Sequence, residues 1–162
     1  MFFGETELMM RPFRIFAIRD LVLLLITLIL WQNLIDSSVF HVMTAAFTGI
    51  SALLFHEWGH LLGAHLSGAI VHRAPSVFSP FLFDLDSQRN TRPQFLLASG
   101  TGFIATSCFL FFFVLVLPLD TLAGRLSLYV ALGLASLTVF IEFPIAWLVY
   151  QKKKIPRVEI FR

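Results

Sequence analysis

The stretch VFHVMTAAFTGISALLFHEWGHLLGAHL, residues 39–66, decides the class of this chain. It is apolar over more than the ~20 residues needed to cross a bilayer's hydrocarbon core. Yet it carries His56-Glu57-Trp58-Gly59-His60. On a helix, positions i and i+4 share a face, so both imidazoles can reach one metal ion. Glu57 follows the first histidine, where it can take a proton from a water activated by that metal. Ionisable side chains at bilayer depth are rare and functional by default. A helix with two unrelated histidines would bear three ionisable groups on adjacent turns with nothing to offset their desolvation.

The rest of the chain matches this segment. Of 162 residues, 57% are hydrophobic and 14% charged, and the mean hydropathy is +0.83. A soluble domain of this length cannot hide that much apolar surface, so the expected class is an all-α integral membrane protein. Four apolar segments stand out, at about 15–35, 39–66, 95–117 and 126–150. They predict a single domain, residues 1–162, built as a bundle of about four transmembrane helices. Arg19 and Asp20 shorten the apolar core of the first segment. No small-residue cleavage site follows that segment, which reads as a retained helix. Cys108, the only cysteine, excludes an intrachain disulfide and a cysteine-based zinc site, and it reads as a small buried hydrophobe.

The connections are uneven. Asp36-Ser37-Ser38 and Pro118-Leu119-Asp120-Thr121 are tight links, whereas residues 67–94 form a longer loop with Gly68, Pro75, Pro80 and Pro93. Within it Val77-Phe78-Ser79 and Phe81-Leu82-Phe83 read as short extended pieces broken by Pro80. Within the polar run 84–92, residues 84–90 read as a solvated turn. Lys and Arg set the orientation. Four spans put Arg11, Arg14, Arg19, Arg73, Arg89, Arg92, Lys152, Lys153, Lys154, Arg157 and Arg162 on one side, and only Arg125 on the other. The expectation is a multi-pass protein of the cell membrane with both termini and the long loop in the cytosol.

A catalytic zinc site needs a third protein ligand and an open position. His65 is five residues past His60 and turns off the shared face; His41 and His72 fall near opposite ends of the bundle. The acids are Asp120, in the outer link, and Glu142, the only ionisable residue within its span. Helices two and four run in the same direction, which places Glu142 at a depth similar to His56 and His60. Asp120 belongs to the opposite surface at ~1.5 Å per residue. Glu142 is the favoured ligand, with Asp120 the alternative. Pro144, two residues on, removes a backbone donor from that helix.

These residues resemble the site-2 protease family of intramembrane zinc metalloproteases. The likeness begins at Phe55-His56-Glu57-Trp58-Gly59-His60-Leu61-Leu62-Gly63-Ala64, runs through Leu66-Ser67-Gly68-Ala69 into an extended loop, and resumes at Ala98-Ser99-Gly100-Thr101-Gly102-Phe103-Ile104-Ala105-Thr106. The family has a glycine-rich helix start there, usually ending in asparagine where this chain has Thr106. Its third motif, an aspartate-glycine pair after a proline, has no counterpart around Phe140-Ile141-Glu142-Phe143-Pro144-Ile145, nor at Leu119-Asp120-Thr121. The resemblance covers roughly residues 50–150 and is to a divergent branch. It implies a Zn2+-dependent endopeptidase with His56, His60 and Glu142 at the metal and Glu57 as catalytic base. The substrate would be a membrane-embedded protein cut near the cytosolic face after local unwinding. Residues 77–83 read first as an interfacial plug, with pairing to the unwound substrate by strand addition as the alternative. The implied partners are that substrate and the lipid bilayer, with no nucleic acid. The alternative is a catalytically inactive pseudoprotease or membrane scaffold that keeps the fold. Gly100 and Gly102 read as close-packing positions against the metal helix.

Overall fold

A computed structural model describes residues 13–33 and 35–152. Arg11, Lys153, Lys154, Arg157 and Arg162, used above for orientation, lie outside the described residues. The elements run α1 (Arg14–Gln32), α2 (Ser38–Leu66), β1 (Val71–Arg73), β2 (Phe83–Leu85), α3 (Arg92–Val116) and α4 (Leu122–Lys152). All four helices are long and apolar enough to cross a membrane. The shortest, α1, has 19 residues, or about 28 Å at ~1.5 Å per residue. The molecule is an all-α bundle of a multi-pass membrane protein. Its outward surface is correspondingly apolar, with Ile104, Phe111 and Phe140 all largely exposed.

The central helix is α2, which contacts the other three. Its seam with α1 is polar and in antiparallel register. Trp31 Nε1 donates to Thr48 Oγ1 at 3.0 Å, Thr27 Oγ1 meets Ser51 Oγ at 3.0 Å, and Trp58 Nε1 donates to Asp20 Oδ2 at 2.7 Å. The seven-residue step down α1 from Thr27 to Asp20 matches the seven-residue step up α2 from Ser51 to Trp58. Two turns of helix separate the pairs on each side, so both sets keep to one face.

The seam between α2 and α3 is made of small residues. A Cβ on Gly59 would lie 2.9 Å from the Thr101 carbonyl oxygen, and one on Gly63 would lie 2.7 Å from that of Leu97. Such close backbone approach is the usual function of small residues between membrane helices. Gly102 faces the His60 ring directly, as the close-packing reading requires, but Gly100 has nothing within 4 Å.

α2 ends in a Schellman motif. Gly68 adopts φ +64°, Gly68 N donates to His65 O at 3.1 Å and Ala69 N to Ala64 O at 2.8 Å. Gln94 ties this end to the start of α3. Its Oε1 accepts from the Thr91 amide at 2.7 Å, and its Nε2 donates to Gly68 O at 3.0 Å.

The long loop forms a hairpin at this end of the bundle, but its strands differ from the expected pieces. β1 pairs antiparallel with β2 in the register Val71↔Leu85, His72↔Asp84 and Arg73↔Phe83. Val77 and Phe78 are turn, Ser79 is not strand, and only Phe83 of the expected second piece is strand. Pro75 and Pro80 lack the N–H a ladder needs, which confines pairing to the residues outside them. Phe13 at the start of α1, Phe16 of α1, Leu61 and Ala64 of α2, and Leu82 and Phe83 of the loop belong to the main buried cluster. Cys108 departs from its expected burial and is exposed on α3. In a bundle facing lipid, an apolar neighbourhood does not place a residue inside.

Candidate metal centre

His56 and His60 lie one turn apart on α2, and Glu142 reaches them from α4. His56 Nε2 is 3.0 Å from Glu142 Oε1, His60 Nε2 is 3.1 Å from Glu142 Oε2, and the two Nε2 atoms are 2.9 Å apart. These three residues are a group able to hold a metal ion. Ligand atoms about 2.0–2.2 Å from a tetrahedral zinc lie about 3.4 Å from one another, a few tenths of an ångström more than the separations here.

The opposite ring nitrogens explain why the Nε2 atoms converge. His60 Nδ1 is 2.8 Å from Ala98 O, and His56 Nδ1 is 3.1 Å from Gly102 O and 2.8 Å from Thr106 Oγ1. A carbonyl oxygen only accepts, so each Nδ1 carries the proton and each neutral Nε2 presents a lone pair. Two lone pairs at 2.9 Å repel unless a cation or a proton lies between them. Carbonyl partners on the far nitrogen are also what metal-binding histidines use to fix tautomer and ring angle. The donor set therefore fits zinc: two imidazoles and one carboxylate, with one coordination position left over.

α3 supplies this outer support because it lies against α2 without intervening side chains at Gly59 and Gly63. His56 is nearly fully buried, while Glu142 is about one-third exposed (3% and 31% of the side chain). α4 is continuous through Pro144, which has no N–H to donate to the carbonyl one turn earlier.

Glu57 is buried on the next position of α2. Its Oε2 accepts from the Leu82 amide at 3.3 Å, and it is close enough to His60, His56 and Glu142 to interact electrostatically with all three. Asp120 is exposed in the turn between α3 and α4. It lies at the end of α3 away from Gly102, about 20 Å along the helix at ~1.5 Å per residue. The structure brings Glu142, not Asp120, to the histidines. His72 is in β1 and bonds Asp86 Oδ2 at 3.1 Å, and neither His65 nor His41 belongs to the group.

Several residues around the site carry no motif. Ala98 and Gly102 act through backbone carbonyls, and Leu82 through its amide, which no side-chain pattern can reveal. Thr106 stands where the resemblance placed a family asparagine. Arg19 and Asp20 were visible as charges inside an apolar segment, a signal that points to function rather than to a shortened helix. No protein-family model, curated protein or solved structure matches this chain.

Proposed function

We propose that this protein is a zinc-dependent endopeptidase that cuts membrane-embedded protein substrates near the cytosolic face. The observation that carries the reading is the convergence of His56 Nε2, His60 Nε2 and Glu142 on one point, beside a buried glutamate. His56, His60 and Glu142 hold the ion. When bound, zinc supplies Lewis-acid polarisation of a peptide carbonyl and lowers the pKa of water. Glu57 takes a proton from the attacking water as its oxygen bonds to the carbonyl carbon. The C–N bond then breaks, and Glu57 passes that proton to the leaving nitrogen. The Leu82 amide orients the Glu57 carboxylate for both transfers.

Depth supports the choice of substrate. His60 lies six residues before the end of α2, about 9 Å from that end at ~1.5 Å per residue. A substrate helix hides its carbonyls in its own hydrogen bonds, so it must unwind there to be cut. Arg73, Arg89 and Arg92 lie on or beside the hairpin and Arg125 near the opposite end, which favours a cytosolic hairpin and cytosolic termini.

The short spacing among the three ligand atoms also supports a second reading. A shared proton can bridge His56, His60 and Glu142 without metal, as in an inactive scaffold. Metal analysis of purified protein separates the two. The expected result is about one zinc per chain, lost in the His56→Ala, His60→Ala double variant. Glu57→Gln should keep the zinc and lower cleavage by about 10²–10⁴-fold. A metal-free wild type excludes the endopeptidase.

A further inference from the structure

The first helix contributes nothing to the metal group, yet it carries a partly buried charged pair aimed at the site's cover. Arg19 Nε bonds Asp20 Oδ1 at 2.6 Å, and the other carboxylate oxygen of Asp20 accepts from Trp58 Nε1 at 2.7 Å. Trp58 stands between Glu57 and Gly59 in the metal helix. Arg19 Nη1 then donates to two loop carbonyls, Val77 O at 2.6 Å and Ser79 O at 2.7 Å. Three residues further on, the Leu82 amide meets Glu57.

We propose that Arg19 is a positioning residue: held by Asp20 and Trp58, it straps residues 77–82 across Glu57 and so fixes the base. This rests on Glu57 acting as the base.

Three observations argue for the strap. Beyond the single bond from Ala74 N to Leu82 O at 3.0 Å, which extends the hairpin by one step, residues 77–81 have no ladder of their own, because the strand pairs stop at Arg73 and Phe83. Their internal bonds are local, from Phe78 N to Ser76 Oγ and from Phe81 N to Ser79 Oγ, both 3.1 Å. Such turns shape the segment but do not fasten it to the bundle. Arg19 does so with charge-assisted bonds, which are stronger than neutral ones. The pair is also costly in an apolar helix, and its hydrogen bonds to Trp58, Val77 and Ser79 run to the metal helix and the loop. Phe13 and Phe16, from the turns before Arg19, pack in the same cluster as Leu82 and Phe83. α1 therefore grips the loop by both apolar and polar contacts.

The test is hydrogen–deuterium exchange on the full chain in detergent micelles. In Arg19→Gln, peptides covering residues 77–83 should exchange about tenfold faster or more. Peptides from α3 and the zinc content should match the wild type. Unchanged exchange in 77–83 overturns the strap. If Arg19→Gln does not fold, Trp58→Phe serves instead: it removes the donor to Asp20 while keeping an aromatic ring against the buried cluster, and it should loosen the same peptides. With fluorescein-labelled casein as the probe, kcat should fall and KM stay within about twofold. A loss confined to KM assigns Arg19 to substrate binding and overturns the positioning role. A loosened loop in a chain that holds no zinc leaves the strap standing and removes the reading of the site, so the two failures are distinct.

Discussion

Glu142 and Thr106 both touch His56, but at opposite ends of the ring, and they should fail differently. Glu142 offers its oxygens on the Nε2 side, where the proposed ion binds, whereas Thr106 meets Nδ1. Loss of an outer partner of a metal-binding histidine typically costs roughly 10–100-fold in affinity. Thr106→Val should weaken zinc binding by about that factor, and Glu142→Ala by more, while Asp120→Asn should leave it unchanged. Competition with a chelator of known affinity gives the order, and equal zinc binding in Glu142→Ala and wild type removes Glu142 from the ligand set. A second residue-scale effect lies in the hairpin. The His72 hydrogen bond holds the Asp86 carboxyl below the usual aspartate range, aided by the Gln88 and Arg89 amides. Because the folded pKa is the lower one, this contribution is present above the ordinary aspartate pKa of about 3.9. It is lost as pH falls through the lowered value. Exchange of the Gln88 and Arg89 amides should therefore show a loss of protection below about pH 4. Asp86→Asn should remove that acid step.

At the scale of elements, the seam between α2 and α3 decides whether the histidines meet their carbonyl partners. Gly63→Ala would place a Cβ 2.7 Å from Leu97 O and 2.8 Å from Ala98 Cα. Both are backbone atoms that cannot swing aside, so the helices must part and carry Ala98 O away from His60. Overpacking of this kind costs about 1–3 kcal/mol. Gly100→Ala meets nothing within 4 Å and should stay within about 0.5 kcal/mol of the wild type. Unfolding titrations in mixed micelles would show the contrast. The sequence made such helices legible because a run of about 20 apolar residues has few other uses. It also matched Glu142 to the histidines, since depth follows from residue count in straight helices that share a direction. The strands were harder to read. Val77-Phe78-Ser79 has strand-like composition, but its carbonyls at 77 and 79 go to Arg19 instead of a neighbouring strand. Arg19 and Asp20 read only as interruptions, because their partners lie 38 to 60 residues away in the chain. Cys108 read as buried because apolar surroundings mean an interior in water but not in lipid.

For the whole molecule, one side of the bundle holds everything the proposed chemistry needs. The hairpin, the charged pair of α1 and the inward-facing histidines all lie toward the end where α2 finishes and α3 begins. Asp120 marks the other end, beside the start of α4. An endopeptidase that releases a fragment into the cytosol must have its hairpin end there, and the spread of arginines favours that orientation. The chain's single cysteine makes this directly measurable. In a Cys108→Ser background, Gln88→Cys reports on the hairpin end and Asp120→Cys on the opposite end, both at exposed positions. On intact cells, a membrane-impermeant maleimide should label Asp120→Cys and spare Gln88→Cys until the membrane is permeabilised. The reverse pattern would turn the site to the exterior. The fold and the metal group would stand, but the cut would then release fragments outward, and the cytosolic assignment of the substrate would fall.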